Sequence, residues 1–242
     1  MSFSNFSDPF VDRMTHRWMM VSKLWGLKAV PLVEGLTLWL GWTGLTWLAF
    51  GCSLLFVEVG ERSDLSRVEG VIGGLLVGGA QWWMLRSHLP KPHRWLVATV
   101  LGWGALTLFH IGALGWMAPG TPNLFFRVLL GLLYGAYVGT VLGTAQWLAM
   151  RKQVVRAWRW VPLSSGIWAV AIAFGWLIGG SLRAVSHLFV SEVIGLVIAW
   201  GAIAALSGIG IVGLVYQAHS SHPYSTRRPE AYDSAQGLGS DH

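Results

Sequence analysis

His110 stands inside the apolar stretch LTLFHIGALGW. An ionisable side chain at membrane depth is a functional candidate before anything else is known of a chain. A ring nitrogen there could ligate a tetrapyrrole, with Gln81 or Gln146 adding a weaker contact to a pigment or its bound water. The simpler expectation is a neutral histidine hydrogen-bonded to an adjacent helix. Glu34, Glu58, Glu69 and Glu192 fall at the ends of apolar runs, where they are expected to reach water and to lack the desolvation that would equip them for a pore or proton path. Ser207-Gly208 has the form of an intramembrane serine nucleophile, but no later span offers a histidine base, and His219 falls beyond the last apolar run. His219 and His222 are expected to hold no metal, because two histidines on an unstructured tail rarely form a site. No Walker A, zinc-protease or dinucleotide motif occurs, so no enzymatic activity is expected.

What must position these residues follows from composition. Of 242 residues, 54% are hydrophobic, only 12% are charged and sixteen are tryptophan, a mixture that belongs to membrane proteins. The net charge of +6 comes from Lys and Arg clustered between apolar runs rather than from a basic face, so nucleic acid is not an expected partner. Membrane lipids and other membrane proteins are. Cys52 is the single cysteine, which rules out an internal disulfide. The first thirty residues, polar and interrupted by charge, do not read as a cleavable signal peptide.

A membrane-crossing helix needs about twenty apolar residues, and lipid offers an open backbone no hydrogen-bond partners. Six runs qualify: Val30–Val57, Arg67–Arg86, Trp95–Ala118, Leu124–Met150, Trp160–Leu182 and Glu192–Tyr216. The charges between them are asymmetric. Arg13, Arg17, Lys23, Lys28, Arg86, Lys91, Arg94, Arg151, Lys152, Arg156, Arg159, Arg227 and Arg228 lie on one side, and only Arg62, Arg67, Arg127 and Arg183 on the other. The excess places both termini in the cytoplasm. Trp82, Trp83, Trp95, Trp147, Trp158 and Trp160, near the span boundaries, are expected to form an interfacial belt. Residues 1–29 read as an amphipathic segment lying in the headgroup layer, with Phe10, Met14, Trp18, Val21 and Trp25 on one face. Residues 30–217 form the membrane domain, and 218–242 a tail expected to be disordered.

The membrane domain repeats itself. VGGAQWWMLR around Gln81 matches LGTAQWLAMR around Gln146, 65 positions later, and Trp103 precedes Trp168 by the same interval. One further interval reaches Ile211, where the glutamine would be replaced. LGWTGLTWLAFG in the first run is similar to LGWGALTLFHIG in the third. The expected fold is therefore all-α: a six-transmembrane-helix bundle of three tandem hairpins, related by an approximate axis along the membrane normal. Gly131, Gly135, Gly139 and Gly143, like Gly70, Gly74 and Gly78, recur every fourth residue and form stripes along their helices. Gln146 and Gln81 follow three residues after the last glycine, on the same stripe, so both amides should brace a neighbouring helix. Arg86 and Arg151, five residues further on, should snorkel to the headgroups.

On this motif the chain resembles uncharacterised multi-pass bacterial membrane proteins, common in cyanobacteria, that carry G-x-x-Q-W-x-x-L-R followed by a basic loop and a Trp-containing span. GGAQWWMLR fits throughout; GTAQWLAMR has Met150 where Leu is usual. The resemblance covers the second to fifth spans and implies architecture without an activity. The functional expectation is a non-enzymatic interaction, assembly or stabilising subunit of a plasma or thylakoid membrane. A small-solute transporter or a pigment-binding protein is the alternative.

Overall fold

The computed structural model describes residues 32–60, 67–108 and 115–220. His110, the amphipathic N-terminal segment and the tail beyond residue 220 lie outside the described residues. Six α-helices occur in them: α1 (Leu32–Ser53), α2 (Arg67–Leu85), α3 (His93–Leu108), α4 (Leu124–Met150), α5 (Trp160–Ser186) and α6 (Val190–Ser220). Among the described residues the secondary structure is all-helical, and one isolated bridge pairs Gly60 with Met117. A 3-10 turn, Ala157–Arg159, leads into α5.

Local chemistry accounts for several boundaries. Asn123 caps α4, its Oδ1 accepting from the backbone N–H of Phe125 and Phe126 and so satisfying two of the donors that a helix start leaves open. α5 ends where His187 turns left-handed at φ 59°, and four residues later α6 is under way. α4 occupies Leu124–Met150, the bounds of the expected fourth span, whereas α1 stops at Ser53, short of Val57.

Each helix packs against its chain neighbours, and α6 returns to pack against α1, so the six close into a ring. Three α1 indoles seal that last joint by donating to α6: Trp39 to the Ala205 carbonyl at 2.8 Å, Trp42 to Ser207 Oγ at 3.0 Å and Trp47 to the Val197 carbonyl at 2.8 Å. Beside it, Tyr216 donates to Glu34 at 3.2 Å.

Inside and outside are both apolar. Trp42, Trp95, Trp103, Trp116, Trp176 and Trp200 are fully buried in the ring. Outward lie Leu40, Leu48, Leu75, Leu101, Leu133, Phe174 and Ile209, with at least one from every helix. A water-soluble protein does not spread apolar surface around its whole circumference. Three segments, Leu124–Met150, Ala157–Ser186 and Val190–Tyr216, are long and apolar enough to cross a membrane.

Candidate functional site

An indole N–H donates and cannot accept, so a tryptophan driven inside a bundle must find an oxygen there. Gln81, one turn before the end of α2, and Gln146, one turn before the end of α4, supply two. Trp95 Nε1 donates to Gln81 Oε1 at 2.9 Å, and Trp160 Nε1 donates to Gln146 Oε1 at 2.7 Å. Each bond joins residues 14 apart across a basic loop, the glutamine on the outgoing helix and the tryptophan at the start of the returning one. Trp42 and Ser207 make the corresponding contact between α1 and α6. Donor identity fixes both amide orientations. The Gln146 nitrogen then points to α3, where it donates to Thr99 Oγ1 at 3.1 Å.

The rings stack along the axis. Trp42 meets Trp95 edge-on at 5.8 Å between centroids, and Trp95 meets Trp160 at 5.6 Å. Trp103, Trp168 and Trp200 form a mutual triad with centroids 5.2–6.2 Å apart, and Phe50 stacks on Trp200 at 4.6 Å. Among these rings lies a chamber of about 30 Å³ lined by all six helices, with Gln81, Thr99, Gln146, Ser164 and Ser207 as its polar groups. Amides, hydroxyls and indoles can hold and orient a small neutral polar molecule; none of these groups exchanges a proton near neutrality.

A second polar cluster lies among α4, α5 and α6. The Arg127 guanidinium grips Glu192 with both arms, at 2.7 and 2.8 Å. Its remaining hydrogens go to the carbonyls of Thr121 (2.7 Å), Pro119 (2.9 Å) and Trp176 (3.3 Å). All five donors are used, the condition under which a buried charge is tolerable. Arg183 approaches the same carboxylate at 3.5 Å. The cluster ties the stretch before α4 to α5 and α6. Among the described residues no group of three or more His, Cys, Asp or Glu side chains could hold a metal.

Several expectations are corrected here. Trp95 and Trp160 are not belt residues: they are 1% and 3% exposed, because the amide oxygens behind them satisfy the N–H that would otherwise seek the headgroups. Trp83 and Trp158 do lie outside, at 51% and 59%. Glu192 does not reach water; it is 1% exposed, and the Arg127 charge compensates it. Arg127, counted as a loop charge, is buried with it. Ser207, considered as a nucleophile, has its hydroxyl engaged: it accepts from Trp42 and donates to the Ala204 carbonyl at 3.3 Å. Trp42 joins Trp95 and Ile211 in one buried cluster, whereas the similarity of LGWTGLTWLAFG to LGWGALTLFHIG would set it level with Trp103 in the other.

The structure places Gln81 and Gln146 together on the axis, 7% and 6% exposed. Their glycine stripes face the returning helix. A Cβ on Gly139 would meet the Ser164 carbonyl oxygen at 2.5 Å, and one on Gly78 would meet Leu96 and Thr99 side chains at 3.2 Å. Arg86 is exposed and lies over the Trp83 ring at 3.3 Å. Glu34 is exposed in the first turn of α1, and Glu58 is exposed in the segment that follows that helix. The basic loops meet where the Lys91 backbone N–H donates to Gln153 Oε1 at 3.0 Å, leaving Lys91, Arg94, Arg151, Lys152 and Arg156 exposed. Comparison with protein-family models, with curated proteins and with solved structures finds no match for this chain.

Proposed function

We propose that the chain is a six-span membrane protein with both termini cytoplasmic, acting as a non-enzymatic interaction, assembly or stabilising subunit of a bacterial plasma or thylakoid membrane. The observation that carries this reading is the narrow axis. Tryptophans reduce the place where a transporter would keep a path to a chamber of about 30 Å³, while apolar side chains surround the ring. A bundle so narrow inside and apolar outside does its work at its outer surface, toward lipid and other membrane proteins. Glycine seams hold the helices together, and the exposed basic loops face the anionic lipid of the cytoplasmic leaflet.

The three-hairpin plan is read with its frame moved by one helix. The indole-to-acceptor bond joins α2 with α3, α4 with α5 and α6 with α1, so each unit is an outgoing helix, a turn and a returning helix, the third unit being split between the two ends of the ring.

Two measurements on one preparation test the proposal. The tagged chain purified from its own membranes in mild detergent should retain a stoichiometric membrane-protein partner. Reconstituted alone in vesicles, it should leave water, glycerol and urea permeability at the level of protein-free vesicles. Partner-free chain that accelerates flux of a particular solute would replace this reading with a transporter. The absorption spectrum of the same sample tests tetrapyrrole ligation by His110 with Gln81 or Gln146, and a featureless visible range would remove it.

A further inference from the structure

The axial chamber is lined by more hydrogen-bonding capacity than the protein uses. Among the described residues, the Gln81 amide makes one hydrogen bond, through its oxygen, so both hydrogens on Nε2 are free to donate. Thr99 Oγ1 accepts from Gln146 and makes no other hydrogen bond, leaving its own hydrogen to give. Ser164 is 3% exposed and its hydroxyl is without a protein partner among the described residues. Ser207 Oγ accepts from Trp42 and donates to Ala204, which leaves one lone pair.

Four polar groups with spare capacity, each on a residue at least nine-tenths buried, line one space of about 30 Å³. A water needs a space of at least roughly 10–15 Å³ and two to four polar partners, and the chamber offers both. Its other walls are tryptophan rings and the aliphatic side chains of Val77, Leu142, Ile167 and Ile203.

We propose that the chamber is a hydration site: one or two ordered waters bridge Gln81 Nε2 to the hydroxyls of Thr99, Ser164 and Ser207. The waters complete a polar ring through α2, α3, α5 and α6, joining indole-to-acceptor pairs that direct protein contacts leave separate. Gln146 reaches α3 by itself, whereas Gln81 needs a water to reach beyond Trp95. This explains why one glutamine of the repeat uses its nitrogen on protein and the other does not.

A high-resolution map of the full chain in lipid decides the matter. Density is expected within hydrogen-bond distance of Gln81 Nε2 and of the Ser164 or Ser207 hydroxyl. An empty chamber would overturn the proposal, as would xenon occupying it under pressure, because xenon enters dry apolar voids. Val77→Ile gives a second readout: it adds one carbon to the chamber wall and alters no polar group. If water is there, the substitution displaces it, strands the Gln81 donor and should lower the thermal midpoint in detergent by about 2–4 °C. A dry void would be improved by filling, so a rise in midpoint would likewise overturn the hydration site.

Discussion

The α2–α3 and α4–α5 pairs carry the same glutamine-to-tryptophan bond at the same spacing, yet their helices meet differently. In α4, a Cβ on Gly131 would come within 2.5 Å of the Ala173 backbone, and one on Gly135 would run into the Trp168 carbonyl. Those glycines let two backbones touch. In α2, Gly74 and Gly78 face the Trp103, Leu96 and Thr99 side chains at 3.0–3.2 Å. There the missing Cβ makes a socket for a side chain, and the backbones stay further apart. The same four-residue glycine period therefore serves two kinds of contact, decided by whether the opposing helix presents small residues, as Ser164, Ala169 and Ala173 are, or large ones. α5 repeats the close approach on its other side, where Gly175 and Gly195 pack against each other's backbone.

The sharpest way to break this comparison lies in the clamp that α4 and α6 share. Arg127→Met should leave the buried Glu192 carboxylate with only the longer Arg183 contact at 3.5 Å and cost about 3 kcal/mol, while pairing it with Glu192→Leu should restore most of the loss. Thermal unfolding in detergent reads both; a loss under about 1 kcal/mol for the single variant would show that the clamp is dispensable. Next in size are the glycines. Gly135→Ala should cost about 1–3 kcal/mol, because only backbone can yield to the new methyl. Gly78→Ala should be close to neutral, since the gain of about 1 kcal/mol in helix propensity offsets contacts at 3.2 Å with the Leu96 and Thr99 side chains that need to give by only a few tenths of an ångström. Equal losses at the two positions would erase the distinction between the pairs.

The glutamines sharpen it further. Gln146→Leu orphans the Trp160 donor and the Thr99 contact, whereas Trp95 is the one protein partner among the described residues that Gln81→Leu orphans, so on direct contacts the first should exceed the second by on the order of 1 kcal/mol. Unchanged melting of the double Leu variant would count against any bracing by the amides. Smallest is an improvement. Thr46 lies in α1 with its hydroxyl buried and without a hydrogen-bond partner among the described residues, so Thr46→Val should raise stability by up to about 1 kcal/mol. A drop in melting temperature would mean that this hydroxyl has a partner after all.

Three helices long and apolar enough to cross a membrane were legible as apolar runs, and Leu124–Met150 needed no correction, whereas α1 stops at Ser53, short of its expected end. That Gln81 and Gln146 turn inward was legible too, since the glycine stripe marks the packed face. The tryptophans were harder. Trp95 and Trp160 sit at span boundaries, where position alone argues for the headgroups, and the competing signal was their shared distance from the two glutamines. Arg127 and Glu192 were misplaced for another reason. Counting charges by loop treats each as independent, while their burial depends on an encounter between residues 65 apart. Closure of α6 onto α1 has no local signature, because it joins the first described helix to the last.

That closure bears on how the protein is made. A ribosome delivers α1 before α6, so Trp39, Trp42 and Trp47 have no α6 acceptor for their indole hydrogens until that helix has been made. On the proposed six-span reading, nascent chains arrested at successive lengths should register their strongest inward pull as Val197–Ser207 passes into the lipid, the moment at which the circle snaps shut.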